Sequence, residues 1–188
     1  NPIQFAPNED LATYPRDFEA DKRLIEDAGA TLVFHPEPEE LYAPDASTFV
    51  NVEGITAELC GKTRPTHFRG VCTVVSKLMN IAEADRAYFG QKDAQQLAVV
   101  RRMVRDLNMN VQVVGCPIVR EADGLAKSSR NTYLSEEERK AGLVLSRAVA
   151  EGMRLMEAGE RDAAKVLGAM KALIEAEPLA RIDYVEMV

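Results

Sequence analysis

Tryptophan is absent from this sequence of 188 residues, and aromatic side chains make up only 6% of it. Histidine occurs twice, at His35 and His67, and cysteine three times, at Cys60, Cys72 and Cys116, with no C-x-x-C spacing. That scarcity argues against a Cys/His zinc site or a disulfide framework and leaves reduced, buried cysteines as the expectation. Positive charge is in deficit, with 23 Lys+Arg against 30 Asp+Glu for a net charge of −7, which opposes non-specific binding to a nucleic-acid backbone. No apolar run approaches the roughly 18 residues of a membrane span, and no basic-then-apolar leader opens the chain, so the cytoplasm is the default location. An initiator Met is also missing. The chain opens on Asn1-Pro2-Ile3-Gln4 and is expected to be a piece of a longer protein.

Nearly half of the sequence (46%) is nevertheless hydrophobic, and short apolar runs alternate with helical patterns, which favours an α/β fold. Phe18, Leu24, Ile25 and Ala28 share one face of a helix that stops near Gly29. A buried strand is expected over 30–34, then a Pro-rich acidic loop (Pro36, Pro38, Pro44) and a second strand over 48–52. Val71, Val74, Val75, Leu78 and Ile81 predict a helix over 70–82. A short strand over 86–89, closed by Gly90, precedes a helix striped by Leu97, Val100, Val104 and Leu107, and residues 111–114 form the next strand. Apolar periodicity then lapses over 120–133. Ser135 with Glu138 reads as a capping box opening a long helix, stapled by Leu134, faced by Leu145, Val149, Met153 and Met156, and stopped by Gly159. A further helix over 162–176 ends before Pro178, and an alternating strand over 182–188 closes the chain. The expected division is a first domain over 1–126 and a second over 127–188.

Chemistry concentrates in a few segments. Tyr88-Phe89-Gly90-Gln91-Lys92-Asp93-Ala94-Gln95-Gln96 runs from strand through a glycine turn into a helix start. Ligands of parallel α/β sheets sit beyond the carboxyl ends of strands, and a helix N-terminus offers N–H groups to a phosphate. Lys92 adds a mobile positive charge, and Gln96 lies four residues on. The competing reading is a plain capping box, with Asp93 as N-cap and Gln96 as its reciprocal partner. Asp123 to Asn131 places Ser128 and Ser129 between Lys127 and Arg130, a donor-rich loop suited to migrating phosphate charge, or simply a solvated linker. Asn1, Gln4, Phe5 and Tyr14 set amides beside aromatic rings, as a small polar substrate would require and as an ordinary turn would also allow. His67 stands in a basic loop, Arg64 to Gly70, before a helix, where it contacts an anion or serves the packing.

Taken in order and spacing, Asn1 to Phe5, Asp10 to Arg16, Arg64 to Gly70, Phe89 to Val99 and Val119 to Asn131 closely resemble the pantoate–β-alanine ligase (pantothenate synthetase) family across essentially the whole chain. The resemblance implies an α/β fold of the nucleotidyltransferase superfamily. In it a Rossmann-like parallel sheet, incomplete here, is joined to part of a small α+β C-terminal lid domain. It also implies a reaction in two steps. ATP, with Mg2+, converts the pantoate carboxylate to pantoyl adenylate and releases pyrophosphate. The β-alanine amine then displaces AMP to give pantothenate. Partners implied are those small molecules and a second copy in a homodimer, with no nucleic acid and no membrane.

By the same resemblance Gly90, Gln91, Lys92 and Asp93 match the nucleotide-binding turn, with Lys92 on ATP phosphate and Gln91 standing where many members have Glu. Val119 matches an adenine-pocket position. Lys127, Ser128, Ser129 and Arg130 match the mobile phosphate-binding segment, with Lys127 replacing a usual Leu or Met. Lys92, Ser128 and Arg130 are thereby the candidate catalytic residues. Gln4 and Gln96 match the two glutamines that hold pantoate, Gln4 also lying near β-alanine. Asn1, Tyr14 and His67 match further active-site positions. The family's N-terminal strand and its H-I-G-H-like segment do not occur in the sequence, and the family continues past Val188. The resemblance is thus to an internal portion, expected to be inactive by itself. A related nucleotidyltransferase acting on another acid, or a non-catalytic nucleotide-binding module, are the alternatives.

Overall fold

Helix-forming patterns are strongest between residues 67 and 106, and there the computed structural model, which describes residues 1–6 and 9–188, builds the core of its first unit. The described chain divides into two compact units. The first comprises Asn1–Phe89 with Asp93–Gly115, and the second Gly90–Lys92 with Cys116–Val188. The boundary expected at 126/127 falls inside the second unit.

In the first unit, a 3-10 turn over Pro2–Gln4 is followed by α1 (Phe18–Asp27), and two short turns of helix, α2 (Pro38–Leu41) and α3 (Cys60–Thr63), precede α4 (His67–Ala82). Along the chain then come β1 (Arg86–Gly90), a 3-10 turn over Gln91–Asp93, α5 (Ala94–Asp106) and β2 (Gln112–Cys116), of which Gly90–Lys92 and Cys116 belong to the second unit. β1 and β2 are neighbours in a two-stranded sheet. The Gln112 N–H donates to the Asp85 carbonyl at the start of both strands, so they run parallel, as a helical crossover demands. α4 packs on α5, and Phe68, Val71 and Cys72 meet Val99, Val100, Met103 and Val104 in one apolar core that also takes in Val52. Leu78 and Ile81, expected on the buried face of α4, lie at the surface, and Ser76 with Cys72 is inside instead. Burial pushes the Cys72 thiol up to about 11, as suits an inert core cysteine. All three cysteines are free, but Cys60 and Cys116 are only partly buried.

Three expected strands do not form, for a shared reason: a strand needs a neighbour to complete its ladder. Residues 30–34 join no strand among the described residues, the Ala30 N–H bonding instead to the Ile25 carbonyl of α1, and Leu32 and Phe34 are exposed. Residues 48–52 are extended, but the Val50 N–H donates to the Thr73 hydroxyl of α4 at 3.0 Å rather than to a strand. Val50 and Val52 still reach the core. Residues 182–188 are also irregular, although Ile182 and Val185 pack against helices. The face assigned to α1 is likewise solvent-exposed at Phe18, Leu24 and Ile25, while Gly29, at φ +85°, terminates that helix as expected.

The second unit holds α6 (Glu136–Gly142), α7 (Val144–Glu157) and α8 (Ala163–Glu175). The Ser135/Glu138 capping box forms in both directions, at 3.2 and 2.8 Å. The single long helix expected from it is broken after Gly142, where the Leu143 N–H bonds to Lys140 in a tightened turn. The buried stripe of α7 is Val144, Ala148 and Gly152, packed on Val166 and Ile174 of α8. Leu145, Val149, Met153 and Met156 face outward. Small residues four apart let the helices approach closely, which a reading by large apolar residues overlooks.

Candidate functional site

The sequence-predicted site residues fall into two groups, one in each unit. In the first unit the chain start folds onto α4. The His67 Nδ1–H donates to the Gln4 carbonyl at 2.9 Å, and Asn1 Nδ2 donates to the Gly70 carbonyl (3.2 Å) and to Gln4 Oε1 (3.0 Å). The Tyr42 hydroxyl donates to Asn1 Oδ1 at 2.7 Å. Tyr14 packs edge-on against Phe5, with ring centroids 6.1 Å apart. His67 is the first residue of α4, buried, and burial holds its pKa below the ordinary value of 6.5 even though its bond to Gln4 favours the charged ring. With Nδ1–H engaged by a carbonyl, the neutral ring presents Nε2 as an acceptor. Beside it the Arg64 guanidinium grips the Glu9 carboxylate through Nε (2.7 Å) and Nη2, which holds the Glu9 carboxyl below the usual carboxylate range.

Asp93 and Gln96 belong to the same unit. Asp93 occupies the N-cap of α5, yet its side chain makes no capping bond, so the reciprocal Asp93/Gln96 capping box does not form. The neighbouring Gln95 has a structural task instead. Its amide donates to the carbonyls of Ile55 (3.0 Å) and Glu58 (2.7 Å) and accepts from the Cys60 N–H (3.1 Å), clasping the 55–60 loop to α5. Gln96, one residue on, is half-buried.

Gly90, Gln91 and Lys92 are exposed, and the second unit that contains them also contains Val119 and Lys127 to Arg130. The turn follows the carboxyl end of β1, and the 119–130 segment follows the carboxyl end of β2, its parallel neighbour. Residues 119–127 fold as a small hairpin. The Lys127 N–H bonds to the Val119 carbonyl (2.9 Å), Glu121 N–H to Leu125 (2.8 Å), and Gly124, at φ +94°, makes the turn. Lys127 and Val119 thus stand opposite one another. Ser128 caps a 3-10 turn over Ser129–Tyr133, its hydroxyl accepting from the Arg130 N–H at 3.3 Å. Asn131 and Arg139 bind the hairpin through Glu121 and Asp123. The Asn131 and Arg139 bonds hold both carboxyls below their ordinary values, Asn131 acting first at Glu121 and Arg139 first at Asp123.

Sequence reasoning assigned nothing to Tyr42, Gln95 or Arg139, because each acts on residues at least 16 positions away and no local spacing announces it. Gly70 carried a signal, a glycine in the first turn of a helix. Among the described residues no group of three or more His, Cys, Asp or Glu is placed to hold a metal ion, and no helix is long and apolar enough to cross a membrane.

Comparison with known proteins is unambiguous. The family model described as pantoate-beta-alanine ligase matches residues 1–188. The chain is 58% identical over its whole length to pantothenate synthetase of Ruminiclostridium cellulolyticum, covering 67% of that protein. It is 60% identical to that of Clostridium novyi, covering 66%. The crystal structure of pantothenate synthetase from Thermus thermophilus superposes with a TM-score of 0.94 at 51% identity, over 98% of this chain and 67% of that one. Pantoate-beta-alanine ligase from Francisella tularensis, complexed with beta-gamma ATP and beta-alanine, matches with a TM-score of 0.70 at 27% identity, over 92% and 64% of the two chains. The chain therefore spans about two thirds of the length of these relatives, and its fold is an incomplete Rossmann-like α/β fold of the nucleotidyltransferase type.

Proposed function

The chain belongs to the pantoate–β-alanine ligase family, and we propose that the protein carrying it joins pantoate to β-alanine with ATP, through an adenylate. A carboxylate is a poor electrophile, so a direct amide bond is out of reach at useful rates. In the proposed first step a pantoate carboxylate oxygen attacks the α-phosphorus of ATP, and the bond to the β-phosphate oxygen breaks to release pyrophosphate. In the second, the β-alanine amine attacks the acyl carbon, AMP leaves with the C–O electron pair, and the amine proton is lost. Little covalent chemistry falls to the protein. Its work is to hold two anions in line and neutralise phosphate charge as it shifts.

The observation that carries the reading is the chain order of the site. The Gly90–Asp93 turn leaves the carboxyl end of β1 and opens α5, where N–H groups and the dipole suit phosphate. Lys92 is the proposed phosphate ligand, with Gly90, Gln91 and Asp93 shaping the turn and Val119 against adenine. Lys127, Ser128, Ser129 and Arg130 follow the leaving pyrophosphate. Gln4 and Gln96 hold pantoate through neutral amides, while Asn1, Tyr14 and His67 complete its pocket. This division suits a chain of net charge −7 handling anions, because local cations must do what the overall field opposes. Mg2+, if carried on the triphosphate, would supply further neutralisation of phosphate charge. A homodimer in the cytoplasm completes the proposal.

The test is exchange of labelled pyrophosphate into ATP by the full-length protein. Exchange is expected with pantoate and not with other hydroxy acids. Replacing Gln96 by Ala is expected to raise the KM for pantoate about tenfold, the value of one lost polar contact, and to leave that for ATP nearly unchanged. Exchange without pantoate, or equal loss for both substrates, contradicts the assignment.

A further inference from the structure

Residues Lys127 to Arg130 are bracketed by a single side chain. Asn131, immediately after them, donates from Nδ2 to the carbonyl of Ala126, immediately before them, at 3.0 Å. The same amide donates to Glu121 Oε1 at 2.9 Å. The other oxygen of Glu121, Oε2, accepts from Arg139 Nη2 at 2.7 Å, and Arg139 Nε donates to Asp123 Oδ2 at 2.6 Å. A continuous path of hydrogen bonds thus joins α6, through both arms of the hairpin, to the closed base of the four-residue loop.

The hairpin itself does not depend on this path. Backbone bonds between Glu121 and Leu125 and between Lys127 and Val119 already close it. The side chains of Arg139, Glu121 and Asp123 are each about one third exposed, at 32%, 32% and 35%, so their ion pairs add little to global stability. What they supply is orientation. A planar guanidinium fork that meets two separate carboxylates fixes both at once, which an ammonium group cannot reproduce. Asn131 extends that constraint to the carbonyl from which Lys127 departs.

We propose that Arg139, Glu121 and Asn131 form a latch that positions Lys127, Ser128, Ser129 and Arg130 against the phosphates of the nucleotide, with Arg139 as the residue that ties the segment to α6. The proposal rests on the reading of Lys127–Arg130 as the phosphate-binding segment. None of the three latch residues touches a reacting atom; they act through the loop they hold. Misplacement of a reacting group by about 1 Å costs on the order of a hundredfold in rate, so loss of the latch falls on turnover.

The experiment compares Arg139→Ala, Arg139→Lys, Asn131→Ala, the Arg139→Ala/Asn131→Ala double variant and Arg130→Ala in the full-length protein. Pantoate-dependent ATP–pyrophosphate exchange and thermal unfolding are measured for each. Arg139→Ala is expected to lower kcat tenfold or more, with the KM for pantoate within twofold of wild type and an unchanged melting temperature. Arg139→Lys recovers only a minor part of that loss, and the double variant is no worse than the more impaired single variant, since both break one path. Arg130→Ala separates the two readings. If it abolishes exchange while Arg139→Ala keeps the wild-type kcat, the latch is wrong and the phosphate segment stands. If Arg130→Ala is as active as wild type, the phosphate segment is wrong and the latch falls with it. A kcat loss in Arg139→Ala that is matched by a large drop in melting temperature, or fully rescued by Lys, also overturns the latch.

Discussion

Gly70 shows how one residue fixes the geometry of the candidate pantoate pocket. A Cβ there would lie 2.5 Å from both the Gln4 Cα and the Ile3 carbonyl oxygen. Those neighbours are backbone, which cannot swing aside as a flexible side chain does. Gly70→Ala is therefore expected to push the 1–4 segment off α4, breaking the His67–Gln4 and Asn1–Gly70 bonds. The expected outcome is a loss of about 1–3 kcal/mol in urea unfolding, the usual range for overpacking, together with a raised KM for pantoate. Unchanged stability and KM would show that the segment is not held as described. Residues of this kind were partly legible. Asn1, Gln4, Phe5 and Tyr14 stood out as types suited to a small polar ligand, and His67 as an anion contact or a packing residue, but Tyr42 and Gly70, the partners that hold Asn1, are 41 and 69 positions from it.

At the scale of elements, legibility followed the source of the signal. Capping is local, so the Ser135/Glu138 box and the Gly29 and Gly159 stops appear where expected. Strands are not local. Residues 30–34, 48–52 and 182–188 carry β-like sequences, yet no ladder forms there among the described residues. The α7 face was misread because its buried positions are small. Ala148 is 1% exposed and sits between Val144 and Gly152 against α8, whereas Met153 is 57% exposed. Ala148→Leu is accordingly expected to destabilise the second unit by about 1–3 kcal/mol. Met153→Ala stays within about 0.5 kcal/mol of wild type. Denaturant unfolding of both variants checks the pair, and the reverse ranking would restore the large-residue stripe as the packed face.

For the molecule as a whole, the sequence was most informative where separate short motifs occur in one order. The turn Gly90–Asp93 by itself favoured a capping box over a phosphate site, and the structure shows no capping bond from Asp93. The net charge of −7 excluded little about small anionic ligands, because the binding of an anion depends on local cations more than on the overall field. Family membership rests on a match over residues 1–188 and on identities near 58%, across about two thirds of each relative. What no single segment revealed is how the candidate residues divide between the two units. Gly90–Lys92 lies in the unit of Lys127–Arg130, while Asn1, Gln4, His67 and Gln96 lie in the other.

The central claim is that this protein activates pantoate on ATP with Lys92 neutralising phosphate charge. Pantoate-dependent exchange of labelled pyrophosphate into ATP by the full-length Lys92→Ala protein tests it most directly. Lys92 is exposed, so the variant is expected to fold and melt like wild type. Its exchange rate is expected to fall by about a hundredfold or more, the usual consequence of removing one charge-stabilising donor. Exchange at the wild-type rate in that variant would contradict the account.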